Sequence, residues 1–157
     1  MKHTRDSDMV GAFPVSALDN LTPGEALAVL CLRRWQDGPE AAAALLVPAL
    51  GPVAAKACLR SFGEVMGVVQ RHGRRSLIRH GEACRCVGSD EAVLAHYLMV
   101  AATGEREDAM LIASLLVEGP LLLPMTESAR VAGLYLHRAG LRGGGAAFPE
   151  PVSATRH

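Results

Sequence analysis

The sequence predicts an all-α protein, a compact bundle of about six helices with a central antiparallel helical hairpin at about 90–117. Three observations carry this. Helix starts and stops punctuate the chain at short intervals, with Pro23, Pro39 and Pro52 at first-turn positions and Asp37-Gly38, Gly73, Gly104 and Gly140 at ends. No stretch alternates Val, Ile or Thr with polar residues between hairpin turns. Half of the 157 residues are hydrophobic but only 4% are aromatic. The core must therefore be built from Leu, Val, Ala and Met, which suits closely packed helices.

Residues 1–20 read as an N-terminal arm, partly disordered, that straps onto the core through Phe13-Pro14-Val15 and Leu18. The first helix opens at Leu21-Thr22-Pro23-Gly24-Glu25, where Thr22 caps, Pro23 suits the first position and Glu25 reaches back as a capping-box acid. It runs to about Gln36. A second, alanine-rich helix spans 40–47 and ends at Pro48. A third runs from Pro52 to about His72, with Cys58, Phe62, Val65 and Val69 inward and Lys56, Arg60 and Glu64 outward. Gly63 and Gly67, four apart, suggest a tight helix crossing.

Residues 73–88 show no period and form the one long irregular stretch of the body. Ser89 then caps a helix whose first turn holds Asp90 and Glu91, matched to the helix dipole. Its interior to Ala102 is apolar nearly all round, as is that of the next helix, from Glu105 to Val117. Helices apolar on every side are expected to be buried on every side, hence the central hairpin. Thr126 caps a last helix, 127 to about 139, on which Val131, Leu134, Tyr135 and Arg138 align. Residues 21–141 thus form a single helical domain, and 142–157 a Gly/Pro-rich disordered tail.

Charge and composition narrow the function. Lys+Arg and Asp+Glu are equal at 16 each, which argues against whole-surface nucleic-acid binding. The polar start MKHTRDSDMV lacks an apolar signal core, and the runs Ala92–Ala102 and Ala109–Val117 fall short of a membrane span, so a cytoplasmic protein away from membranes is expected. The excess of arginine over lysine reads as the coding bias of a GC-rich bacterial gene. Nucleophile elbows, Walker loops and dinucleotide fingerprints are absent from the sequence, so the reading leans away from an enzyme.

The sharpest constellation is His80-x3-Cys84-x-Cys86, with His96 on the helix that follows. Thiolates and imidazoles are the ligands of a structural tetrahedral zinc, so these four are the expected metal residues. The plainer alternative is two free loop cysteines, a solvated His80 and a His96 hydrogen-bonded in the core. An iron–sulfur cluster would have to recruit Cys31 and Cys58, which read as small core residues. In a further alternative, Cys84 or Cys86 is a nucleophile with His80 as base, its thiol acidified by nearby arginines, though no third residue is seen to orient the pair.

Arg71, Arg74, Arg75, Arg79 and Arg85 share residues 71–88 with a single acid, Glu82. Such a cluster reads as a site for phosphate, nucleic acid or an acidic partner, or as a solvated loop. No aromatic lies among these arginines to stack bases. The opening Leu21-Thr22-Pro23-Gly24-Glu25, with the helices that follow to residue 72, resembles the three-helix DNA-binding domains of bacterial response regulators over less than a third of the chain. It departs from them at Pro48 in the turn and at Pro52-Val53-Ala54-Ala55, which offers nothing to read base edges. The first expectation is therefore a non-enzymatic interaction or regulatory protein working through loop 73–88, with a protein partner or a second copy. The alternatives are a DNA-binding regulator using segment 22–72 and a thiol-dependent redox sensor or enzyme.

Overall fold

A computed structural model describes residues 10–143. The polar start and the Gly/Pro-rich tail lie outside the described residues. Among the described residues five helices form the body: α1 (Pro23–Trp35), α2 (Pro39–His72), α3 (Ser89–Thr103), α4 (Arg106–Ala113) and α5 (Leu122–Arg142). Two short strands, β1 (Pro14–Ala17) and β2 (Cys86–Gly88), and short 3-10 turns at Leu18–Asn20 and Gly119–Leu121 complete it. The helix α2 is broken at Gly51, where φ is 78°, so the bundle has six helical segments. Only a residue without Cβ takes that backbone readily. Pro48 does not end the segment before it; the stop lies three residues later, at the glycine.

The capping box at Thr22 forms as expected. Thr22 Oγ1 accepts from the Glu25 N–H at 3.3 Å, and Glu25 Oε2 accepts from the Thr22 N–H at 3.1 Å. The inward face of α2 also agrees with the periodicity, with Cys58, Phe62, Val65 and Val69 all buried; on α1 Val29, Cys31 and Leu32 are buried, while Leu27 and Leu30 are only half-buried. Among the described residues α2 is the one helix long and apolar enough to cross a bilayer.

Helix α3 packs against both α1 and α5, and α5 also packs along α1 and α2. Leu94, Ala95, Tyr97, Leu98 and Ala101 are buried, so the first arm of the expected hairpin is central. The second arm is not buried on every side: α4 covers α3 with Ala109 and Ala113 while Leu111 and Leu115 remain 69% and 64% exposed. It is also short, ending at Ala113.

The last helix starts earlier than expected, at Leu122, and presents a different face. Met125, Ala129, Ala132, Leu136 and Ala139 are buried, whereas Leu134 is exposed. The reason is the approach of neighbouring backbones. A Cβ on Gly133 would lie 2.1 Å from the Leu98 carbonyl oxygen, and one on Gly140 2.7 Å from the Gly24 nitrogen. The tight crossings are therefore on α5 rather than at Gly63 and Gly67. Gly63 instead seats the ring of Trp35, 3.0 Å from its would-be Cβ, and Trp35 leans on Phe62 with ring centroids 5.4 Å apart.

The sequence predicted no strands. The two found are too short to show alternation. They pair antiparallel with Pro14 opposite Gly88, Ser16 opposite Val87 and Ala17 opposite Cys86, and Val15 bulges out. The arm thus straps on through β1 and the buried Leu18, while Phe13 stays exposed.

Candidate functional site

The segment between α2 and α3 is an ordered strap held by side chains of the helices beneath it. Arg33 in the last turns of α1 is 2% exposed, and Glu91 in the first turn of α3 is fully buried. The two meet in a fork, with Nε to Oε1 at 2.8 Å and Nη2 to Oε2 at 2.9 Å. The same guanidinium donates to the Cys84 carbonyl at 2.6 Å and the Cys86 carbonyl at 2.8 Å. Glu91 also accepts from the N–H groups of His80 at 2.9 Å and Gly88 at 3.1 Å. Burial opposes its charge, but the Arg33 fork and these N–H groups outweigh burial and hold its carboxyl below the usual 4.5.

Asp90 works alongside. It takes a two-pronged ion pair from Arg75 and accepts the Ile78 N–H at 2.8 Å. The two acids at the start of α3 thus hold strap backbone at 78 and 80 as well as suiting the helix dipole. Arg74 adds a tie to Glu118 and to the Ser114 carbonyl.

This frame brings two of the four expected metal residues together. A turn at Gly81–Cys84, closed by the Cys84 N–H on the Gly81 carbonyl at 2.9 Å, folds Cys84 back toward His80. Cys84 Sγ lies 3.5 Å from His80 Nδ1. The other ring nitrogen, Nε2, lies 2.8 Å from the Ala12 carbonyl oxygen. A carbonyl can only accept, so Nε2 carries a proton and Nδ1 faces the sulfur. Gly88 leaves room for the ring, since a Cβ there would lie 2.9 Å from Nε2.

The hydrogen bond from His80, followed by one from the Cys86 N–H, lowers the Cys84 thiol pKa below the usual 9.0. The same contact with Cys84, followed by the Ala12 carbonyl, raises His80 above the usual 6.5. Both directions favour a thiolate–imidazolium pair.

The other expected ligands lie elsewhere. Cys86 is exposed on β2. His96 is not a core histidine: it is 61% exposed, with Nδ1 3.9 Å from Glu25 Oε1 on α1. It lies five residues, about 7.5 Å of helix rise, beyond Glu91. Among the described residues no group of three or more His, Cys, Asp or Glu is placed to hold a metal ion, so the expected sphere of Cys84, Cys86, His80 and His96 is not assembled. Cys31 and Cys58 are core thiols, as expected. Burial pushes Cys31 up and takes Cys58 to about 12, and the Cys58 thiol faces the Ala132 carbonyl at 3.7 Å.

Comparison of the chain with protein-family models, with curated proteins and with solved structures finds no match. The site is thus argued from its own geometry. Of the five clustered arginines, Arg74, Arg75 and Arg85 pair with Glu118, Asp90 and Asp19. These pairings make much of the cluster internal mortar.

Sequence reasoning missed Arg33, the role of Glu91 and the orienting partner of His80. Arg33 had a readable signal: it falls in phase with Ala26 and Val29 on an apolar helix face, where a cation requires a buried acid. The orienting partner is a backbone carbonyl, which leaves no mark in a sequence.

Proposed function

We propose that the protein is a non-enzymatic regulatory protein that responds to oxidants or electrophiles through the Cys84 thiol, with strap 73–88 as its working surface. The observation that carries this is the line Cys84 Sγ–His80 Nδ1, His80 Nε2–Ala12 carbonyl, at 3.5 and 2.8 Å. It supplies a nucleophilic sulfur, a proton-holding imidazole and an orienting acceptor. With a peroxide, the thiolate attacks one oxygen. The S–O bond forms as the O–O bond breaks, and the leaving oxygen takes the imidazolium proton, giving a sulfenic acid and water or an alcohol. The sulfur then no longer offers His80 a thiolate, and the contact between strap and arm changes. That change is what a partner would read.

The test is labelling followed by peptide mass spectrometry. After brief peroxide treatment, a dimedone adduct is expected on Cys84, and His80→Asn is expected to suppress it about tenfold as the thiolate fraction falls. Equal labelling of Cys84 in the two proteins would overturn the reading. The zinc reading now rests on two adjacent donors, His80 and Cys84, and would need ligands from elsewhere; elemental analysis of the purified protein tests it. The DNA-binding reading draws on exposed Lys56 and Arg60, which share their face with Glu64, and is not favoured.

A further inference from the structure

A cleft of about 560 Å³ opens between the ends of α1 and α2 and the strap. Its size falls within the range of small-molecule sites. One wall is apolar, made by Trp35, Met66, Val69 and Leu77; the facing part of the strap brings Arg75 and Arg79. The two cations differ. Arg75 is already committed to Asp90 through both prongs. Arg79 makes one hydrogen bond among the described residues, Nη1 to the Leu32 carbonyl at 3.3 Å, and no described carboxylate pairs with it. Burial lowers its pKa, with Glu91 acting against that shift. A guanidinium drawn partly out of water, with most of its N–H groups uncommitted, beside an indole and a methionine, is a site for one negative charge attached to an apolar body.

We propose that this cleft binds a small monocarboxylate with an aliphatic or aromatic tail, its carboxylate on Arg79 and its tail against Trp35, Met66 and Leu77. A single free cation suits one charge better than a phosphate dianion, which would call for more donors than Arg79 alone provides. The site does not depend on the chemistry of Cys84.

Trp35 is the only tryptophan of the chain, so its emission reports on this wall. The probes are octanoate, 1-octanol and acetate, titrated into the full chain at pH 7.5. Octanoate is expected to change Trp35 emission saturably and to raise the melting temperature. The alcohol of equal length is expected to bind about tenfold more weakly or worse, for want of a charge-assisted hydrogen bond. Acetate is expected to have no effect at the same concentrations. In Arg79→Gln, checked for folding by circular dichroism, octanoate and octanol are expected to converge within about threefold. The proposal is overturned if octanoate gives no saturable change, if octanol binds as well as octanoate to the wild type, if acetate competes as well as octanoate, or if Arg79→Gln keeps the preference for the acid. The comparison of acid with alcohol needs only the wild-type protein, so it decides even where the variant fails to fold.

Discussion

Replacing Arg33 with Met keeps an unbranched apolar stem and removes the guanidinium with its charge and its four hydrogen bonds. Glu91 then remains buried, with only the N–H groups of His80 and Gly88 for company. Breaking a buried pair on one side destabilises by about 3–5 kcal/mol. The carbonyls of Cys84 and Cys86 lie at partly exposed positions where water replaces the lost donor, so the stranded carboxylate dominates. In urea unfolding with a slope of about 2 kcal/mol/M, this moves the midpoint down by roughly 1.5–2.5 M. The pH dependence gives the cause. In the wild type the Glu91 carboxyl is held below the usual 4.5, so its contribution is present above that value and lost as pH falls through the folded pKa. Without Arg33, burial raises the same carboxyl, and the variant loses stability as pH rises. The gap between the two proteins is therefore expected to be widest near pH 7 and to shrink toward pH 4. A midpoint shift under about 0.5 M at pH 7, or a gap that does not change with pH, would refute the reasoning.

Gly133→Val is expected to destabilise by about 1–3 kcal/mol or to prevent folding, because the first added carbon meets the Leu98 carbonyl; a thermal melt within a degree of wild type would contradict the crossing. Gly51→Ala is expected to lose about 1–3 kcal/mol to the positive-φ extended backbone at the break in α2, read by chemical denaturation. The rate of Cys84 alkylation by iodoacetamide is expected to rise through an inflection below pH 9.0, and His80→Asn moves that inflection upward; an inflection unmoved by the change would remove the role given to His80.

The bundle was legible because its signals are local. The capping box at Thr22, the inward stripe from Cys58 to Val69 and the apolar interior of α3 each follow from residues within a few turns of one another. Errors came where a distant partner decides. Leu111 and Leu115 look like core residues by type, but α4 meets α3 and α5 with Ala109 and Ala113 buried and leaves these two leucines to solvent. On α5 the large residues around Leu134 draw attention, yet the buried face is the small one, because what matters is how close Leu98 and Gly24 come. His96 is polar in an apolar run, which suggests a metal ligand or a core hydrogen bond; the helix simply turns that position outward, toward Glu25. For the site, the pairing of His80 with Cys84 was visible as spacing, one of several combinations the sequence allowed. The arrangement that selects it involves Arg33, 51 residues from the Cys84 carbonyl it holds, Ala12, 68 residues from His80, and Glu91, which is itself set by Arg33 58 residues away.

The ion pair of Arg33 and Glu91 holds the strap as well as the core, and the two roles can be separated. A buried pair replaced on both sides by apolar residues of similar volume often keeps or gains stability, since both desolvation penalties vanish together. Arg33→Met with Glu91→Leu should therefore recover most of what Arg33→Met alone loses. It should not recover the strap. The carbonyls of Cys84 and Cys86 and the N–H groups of His80 and Gly88 are all tied to that pair, and an apolar pair cannot hold them; the carbonyls turn to water instead. Without those ties, the turn that folds Cys84 onto His80 has no fixed base. The double variant is expected to unfold within about 1 kcal/mol of wild type, while Cys84 alkylation at pH 7 slows to the level of His80→Asn. If stability and Cys84 reactivity instead recover together, the strap holds itself and the pair is merely part of the core. If reactivity alone is lost, the pair is kept for the geometry it imposes on the thiol.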